Sequence, residues 1–512
     1  MHSKNPTRVF TSFASHRVSV ATLVFFCALV ASTSLRMASA AEPAKAESAR
    51  PNVLFIAVDD LNDWIGCLGG HPQAKTPHMD ALAQRGTLFS SAHCNAPICN
   101  PSRTSLLLGL RPSTTGIYAL QPNFRKLSYF KSAVTIPEYF LQNGYRVATT
   151  GKIYHGGSQA YMSGDIAYGP RDLVGLKPKK KIVTTPMGNH PLVDWGTFPH
   201  NDEDRGDYKT ATWACEQIDS WSDDQPNFLA AGFFLPHVPL YAPPKWFDMF
   251  PLDSLVMPTI LEGDRDDTPD FSWYTHWKIP EPRLSWLREN EQLKPIVRAY
   301  LASTAYVDSQ VGRVLEQLEA SGHSDDTVVV LWSDHGWHLG EKGISGKKSL
   351  WEESTRVPLM FAGPGVTGGQ ACDSPVELLD IYPTLLELAG LPSKGGLEGL
   401  SLGPQLRDST TVRDRPAVTT HNQGNHAVRT QEWRYIVYAN GDEELYDLTE
   451  DPNEWHNIAA VPEHATIKKS LSRWLPQMSV PPVPGSAQRL LVEEDGKWMW
   501  EGEEIKPEEA IK

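Results

Sequence analysis

The sequence predicts an α/β fold: a doubly wound, mainly parallel sheet flanked by helices, followed by a smaller antiparallel-sheet domain. Three observations carry this expectation. Four apolar, β-rich runs, Asn52–Val58, Tyr145–Thr149, Phe228–Phe234 and Thr327–Trp332, have the continuous hydrophobicity of strands covered on both faces. Helical patterns lie between and after them, at Met79–Gln84, Ser102–Leu108, Ile136–Gln142, Tyr300–Glu319 and Leu378–Ala389. Strands alternating with helices indicate parallel pairing. Beyond about residue 400 the texture changes to short alternating stretches, Trp433–Tyr438 and Glu444–Leu448, with turn residues Asn440-Gly441 and Asp451-Pro452 and a helix over Ala465–Leu475.

At 512 residues the chain is long enough for a large core and more than one lobe. Residues 18–31 are uncharged and apolar; they follow Lys4, Arg8 and Arg17 and precede the small-residue run Ala38-Ser39-Ala40-Ala41. That pattern reads as a signal peptide over residues 1–41. The remainder divides into a catalytic domain over 50–400, a small α+β domain over 401–490 and an acidic arm over 491–512. Residues 160–205 and 252–292 read as insertions near the site. No later segment is long and apolar enough to cross a bilayer, so the expectation is an exported chain without a stable membrane span, in a periplasmic, extracellular or lysosome-like compartment. Loss of the leader's four Lys/Arg takes the formal charge from −14 to −18. An acidic surface disfavours nucleic acid, and an anionic substrate needs a local basic pocket. Five cysteines follow the leader, Cys67, Cys94, Cys99, Cys215 and Cys372, an odd number that leaves one thiol unpaired or chemically changed.

Each strand-like run ends in charged or imidazole groups: Asp59-Asp60, Lys152 with His155, His237 after Pro236, and Asp334-His335. Ligands of doubly wound sheets bind beyond the carboxyl ends of the strands, which places a site at these four clusters. Carboxylates and an imidazole converging there repel one another unless a cation sits between them, and an oxygen-dominated set favours a hard divalent ion. The alternative is acids that cap neighbouring helices. Cys99, two residues before Pro101, suits a helix start whose free N–H groups welcome an anion. Arg103 lies about one turn further on. A capped helix with a structural cysteine is the plainer explanation. A phosphatase-type thiolate loop fits poorly, because the arginine follows after four residues rather than six. Lys152, His155, His237 and Lys347 add two cations and two imidazoles able to carry protons near neutral pH. Lys347 stands beside Lys348 in a Gly/Lys loop that otherwise reads as solvated surface.

Taken together these residues resemble the formylglycine-dependent sulfatases. The motif is Cys99-Asn100-Pro101-Ser102-Arg103, closed by Leu108-Gly109. The likeness spans residues 50–460, through Asp59-Asp60, GKIYH at 151–155, Pro236-His237, SDHGWHLGE at 333–341 and WEESTRVPL at 351–359. It implies an alkaline-phosphatase-like fold and a formylglycine (3-oxoalanine) made from Cys99 by a formylglycine-generating enzyme. In such a site one hydroxyl of the hydrated aldehyde attacks sulfur, and the other later expels sulfate. The resemblance further implies one Ca²⁺ held by Asp59, Asp60, Asp334 and His335 with position 99. Arg103 would stabilise the diol, and Lys152 and Lys347 would bind the sulfate oxygens. His237 would protonate the departing alkoxide, with Lys347 sharing that task, and His155 would deprotonate the second hydroxyl.

Within the family, DDLNDWIGCLGG, GFFLPHVPLYAPP and SDHGWHLGE are similar to the iduronate-2-sulfatase branch, which implies a sulfated carbohydrate substrate. Asn100, Cys94 just upstream and the 160–205 insertion depart from it. Trp337 and His338 stand equally for substrate contact and for packing. Two other readings share much of the pattern: a phosphodiester or phosphonate monoester hydrolase of the same fold, and a non-catalytic sulfated-glycan binder with Cys99 left as a thiol or paired to Cys94.

Overall fold

The computed structural model describes residues 50–156, 162, 165–186 and 190–510. The leader read over residues 1–41 and parts of the 160–205 insertion lie outside them.

The main sheet is built from β1 (Asn52–Val58), β2 (Thr87–Phe89), β3 (Arg146–Gly151), β4 (Ala167–Tyr168), β5 (Asn227–Phe233), β6 (Thr327–Ser333), β7 (Leu359–Ala362) and β8 (Gln370–Cys372). Their spatial order is β8-β2-β7-β6-β1-β5-β3-β4. All neighbours pair in parallel except β7, which runs antiparallel to both β6 and β2. The expected mainly parallel, doubly wound sheet is therefore present, with one reversed strand that the sequence did not announce. Every residue of β1, β5 and β6 is buried, which explains their uninterrupted apolar sequences.

Alternation along β1 divides the core. Leu54, Ile56 and Val58 pack with α1 (Pro77–Arg85), α4 (Gly206–Asp219) and the long α5 (Leu293–Ala320). Val53, Phe55 and Ala57 face α2 (Cys99–Leu108), α3 (Ile136–Gln142) and α6 (Ile381–Leu388). One helical layer on each face leaves the strand ends as the natural opening.

Further along the chain, β9 (Ala417–Thr420), β10 (His426–Arg429), β11 (Trp433–Val437) and β12 (Glu443–Asp447) form an antiparallel meander. One face, with Val428, Tyr435 and Leu445, packs against Leu471 of α7 (Ala465–Ser472). The other meets Phe271 and Trp277 of the 252–292 segment, together with Trp351. Both sheets belong to one compact unit, Ala49–Lys512. The segment expected as an acidic arm is instead a second meander, β13 (Leu491–Glu494), β14 (Lys497–Trp500) and β15 (Glu503–Glu504). Its charge hides a sparse apolar set, Leu491, Trp500 and Ile505, that is buried beside Phe271 and Tyr438.

Candidate active site

Four strand ends deliver the side chains. β1 runs into Asp59-Asp60, where Asp60 takes a left-handed turn (φ 61°) fixed by the Tyr300 hydroxyl, which donates to its carbonyl at 2.8 Å. β6 runs into Asp334-His335. Between β3 and β5 the backbones approach so closely that a Cβ on Gly151 would sit 1.9 Å from the Gly232 carbonyl oxygen, which requires glycine there. That approach lets the Lys152 N–H donate to Gly232 and brings the ammonium to the sheet edge. β5 leads through Phe234 and Leu235, whose N–H groups both donate to Asp207, into Pro236-His237.

Helix α2 starts at Cys99, with Pro101 in its first turn, where no intrahelical donor is lost. Gly109, at φ 72°, closes it in the left-handed conformation. All ten residues are buried. The Ser102 hydroxyl donates to the Asp334 carbonyl at 2.6 Å, and the Asn100 amide donates to the carbonyls of Ala119 and Pro122. Asn100, a departure from the family pattern, thus ties the helix start to the following loop.

The lysines, histidines and acids of the four strand-end clusters, with Lys347, surround Cys99. Its Sγ lies 3.2 Å from Lys347 Nζ, 3.3 Å from His335 Nε2, 3.6 Å from Lys152 Nζ and 3.9 Å from Asp60 Oδ1. A ring nitrogen of His237 lies within 4.8 Å of the same sulfur, and the His155 ring stands beside it. Lys347 Nζ donates to Asp60 Oδ1 at 2.6 Å, and Lys152 pairs with Asp59. Arg103 reaches position 99 only through the carboxylates: it donates to Asp334 at 2.7 Å and Asp59 at 3.0 Å, and to the carbonyls of Lys152 and Ile153. Lys347 is 4 % exposed, so its loop is not the solvated surface that its composition suggests. Of these ten residues only His155 and His237 are not fully buried, which puts the two imidazoles at the mouth and the carboxylates on the floor.

Burial pushes the Cys99 thiol up, but Lys152, Lys347 and His335 overcome this and hold it well below the ordinary thiol range. For Asp334 burial is likewise outweighed by Arg103 and His335, and its carboxyl is held low. Burial, with Asp334 beside it, drives Asp59 up. Burial also lowers His155 and His237, which favours neutral rings at neutral pH.

The donor set fits a hard divalent cation. Ligand atoms of Asp59, Cys99, Asp334 and His335 lie within 4.8 Å of one another, as do those of Asp59, Asp60, Cys99 and His237. Asp60 Oδ2 is buried without a hydrogen-bond partner. His335 Nδ1 lies 3.1 Å from the Gly336 carbonyl, a contact that places an N–H there, so that a cation replacing any proton on Nε2 would meet the lone pair a metal ligand needs. Two supporting residues were not legible beforehand. Tyr300 lies in the first third of α5, and the Trp332 ring sits 5.5 Å beneath Arg103 on a strand that reads simply as core. The five cysteines among the described residues are free thiols; Cys94 Sγ faces the Ser354 carbonyl and is not bonded to Cys99.

With this geometry in place, comparison with known proteins decides the family. A family model described as sulfatase matches residues 51–391, and one described as N-sulphoglucosamine sulphohydrolase, C-terminal, matches 340–480. The chain belongs to the sulfatase family. It is a sulfuric ester hydrolase by that membership, as the motif at 99–103 implied. A sulfatase from Formosa agariphila is 42% identical over 423 residues, covering 80% of this chain and 83% of the relative. Mouse iduronate 2-sulfatase is 28% identical over 548 residues, covering 87% and 97%. Among solved structures, phosphonate monoester hydrolase of Agrobacterium radiobacter superposes with a TM-score of 0.67 at 21% identity, over 83% of this chain and 94% of that one. That likeness shows a shared fold.

Proposed function

We propose that this sulfatase is exported and removes sulfate from a sulfated carbohydrate, using formylglycine made from Cys99 and one Ca²⁺. The observation that carries the proposal is the placement of Cys99 at a helix start, in contact with two lysines and two imidazoles and against three carboxylates. The name iduronate 2-sulfatase, borne by a relative covering most of this chain, supports a carbohydrate substrate. The apolar run at 18–31 supports export.

A formylglycine hydrate supplies an oxygen nucleophile for sulfur, and a calcium ion supplies Lewis-acid polarisation. Asp59, Asp60, Asp334 and His335 would hold the cation beside position 99. Arg103 keeps Asp59 and Asp334 aligned and holds Asp334 ionised. Lys152 and Lys347 donate to the sulfate oxygens and offset the negative charge that grows as the S–O ester bond breaks. His237 Nδ1 lies 2.6 Å from the Val238 carbonyl, which leaves Nε2 facing the centre. Asp60 Oδ2, 3.9 Å from that Nε2, favours uptake of a second proton there, and it is this imidazolium proton that passes to the departing ester oxygen. His155, kept neutral by burial, takes a proton from the position-99 hydroxyl as sulfate leaves.

The test is peptide mass spectrometry of residues 97–111 from a host that carries the modifying enzyme, combined with a panel of defined sulfated saccharides and an aryl phosphonate monoester. Formylglycine at 99 with turnover confined to the sulfates is expected. An unmodified thiol in active protein, or preferential phosphonate cleavage, would overturn the proposal.

A further inference from the structure

Away from the reactive centre, a cavity of about 360 Å³ opens among Leu261, Trp273, Leu284 and three arginines, Arg265, Arg283 and Arg288. Its size lies at the lower end of small-molecule sites, roughly 300–1,000 Å³. Arg288 is paired with Glu262 at 2.8 Å, and Asp264 on the same wall is paired with Lys342 at 2.7 Å. Asp266 is exposed at the rim. The inner two arginines are different. Among the described residues neither has a carboxylate within ion-pair distance. The Arg265 guanidinium carbon lies 3.4 Å from the Trp273 ring centroid, and that of Arg283 lies 4.7 Å from it.

Arg265 donates to Ser272 and, at 2.8 Å, to His276 Nε2, both neutral acceptors, and its Nε is buried without a partner. The Arg283 guanidinium makes no hydrogen bond to the described residues, and its Nη1 is buried. Burial lowers Arg265 to about 9 and Arg283 to about 10, with no neighbouring acid sufficient to restore either. Two adjacent guanidiniums withdrawn from water without counter-charge are costly, and an anion accepting their free N–H groups relieves that cost.

We infer that this cavity is a second saccharide site, which takes the carboxylate or sulfate of a sugar unit other than the one being hydrolysed. The guanidiniums bind the acidic group while Trp273, Leu261 and Leu284 present apolar surface to the ring. Its wall is continuous with the loop that carries Lys347: Gly343 lines it, the Arg283 backbone bridges to Ile344, and Ser345 and Gly346, paired antiparallel with Leu339 and His338, lead directly into Lys347. The saccharide part of the inference rests on the proposed carbohydrate substrate.

The test titrates the full-length Cys99→Ala protein, which binds without turnover, calorimetrically with a heparin tetrasaccharide, its desulfated counterpart and sodium sulfate. Arg283→Gln should weaken one of two tetrasaccharide sites about tenfold, the loss expected for a hydrogen bond to a charged group. Ser285→Trp, an exposed position on the cavity wall, should block the same site without touching either arginine. Both substitutions, made with Cys99 intact, should leave turnover of a small aryl sulfate unchanged. Tetrasaccharide binding that is absent, or unaffected by both substitutions, overturns the inference. Sodium sulfate saturating the Arg283-dependent site with equal affinity would reduce it to a free-anion site and overturn its saccharide part. Failure of the aryl sulfate control in the unsubstituted enzyme would instead count against the proposed reaction, because the titration reads the cavity independently.

Discussion

Lys347 Nζ stands 3.2 Å from Cys99 Sγ and 2.6 Å from Asp60 Oδ1, so a single ammonium touches both the residue proposed as nucleophile and a proposed metal ligand. Replacing it with Gln keeps much of the length and removes the charge. Lys347→Gln should lower kcat on an aryl sulfate by about 10²–10³, the usual effect of removing one preorganised donor. A smaller effect confined to KM would show that the ammonium serves ground-state binding alone.

Cys99→Ala should abolish turnover while leaving the melting temperature and metal content close to those of the parent. Circular dichroism, elemental analysis and an aryl sulfate assay check the three outcomes together. Residual turnover above the uncatalysed rate would place the nucleophile elsewhere.

Asp334→Asn removes a proposed cation ligand and one of the two acids that hold Arg103. Bound Ca²⁺ should fall below stoichiometric. The melting temperature should drop even in chelator-treated protein, because breaking a buried ion pair costs about 3–5 kcal/mol. Full metal occupancy in the variant would refute the ligand assignment.

His237→Ala should harm esters of alkyl alcohols far more than activated aryl sulfates, since only a poor leaving group depends on being handed a proton. A plot of log kcat against leaving-group pKa should steepen. Equal losses across the series would dismiss the acid role.

Glu281 supplies the acid-stability prediction. Burial raises its carboxyl, but Lys348, Arg489 and Lys347 more than reverse this and hold it at about 2, against 4.5 for the free side chain. A depressed folded-state value means the stabilisation is complete above pH 4.5 and is lost as pH falls from there through about 2. The shift corresponds to about 3 kcal/mol. Glu281→Gln should lower stability at neutral pH and flatten the decline between pH 4.5 and 2, as read from urea midpoints.

Much of this site was legible in the sequence, because continuous apolar strands that stop at acids, lysines and histidines mark the open edge of a doubly wound sheet. The proposed ligand positions Asp59, Asp60, Asp334 and His335 follow directly from that rule. What could not be read depends on distance along the chain. Arg103 looks like a partner for position 99, but the ends of β1, β3 and β6 meet its guanidinium with Asp59, two carbonyls and Asp334. Lys347 sits in a polar loop whose burial arises only when that loop folds over α2. The 491–512 segment has too few apolar residues to stand out from its acids, although Leu491, Trp500 and Ile505 close a shared core. The Arg265–Arg283 cavity joins positions with no local pattern at all.

The burial of Cys99, 2 % exposed, also constrains when the thiol can be altered. Its covering residues His335 and Lys347 lie 236 and 248 positions downstream, so a ribosome reaches them long after the CNPSR stretch has emerged. Any catalyst that rewrites this side chain must therefore work before the polypeptide has folded around it. A molecule that finishes folding with its sulfur intact has closed that thiol to any later catalyst.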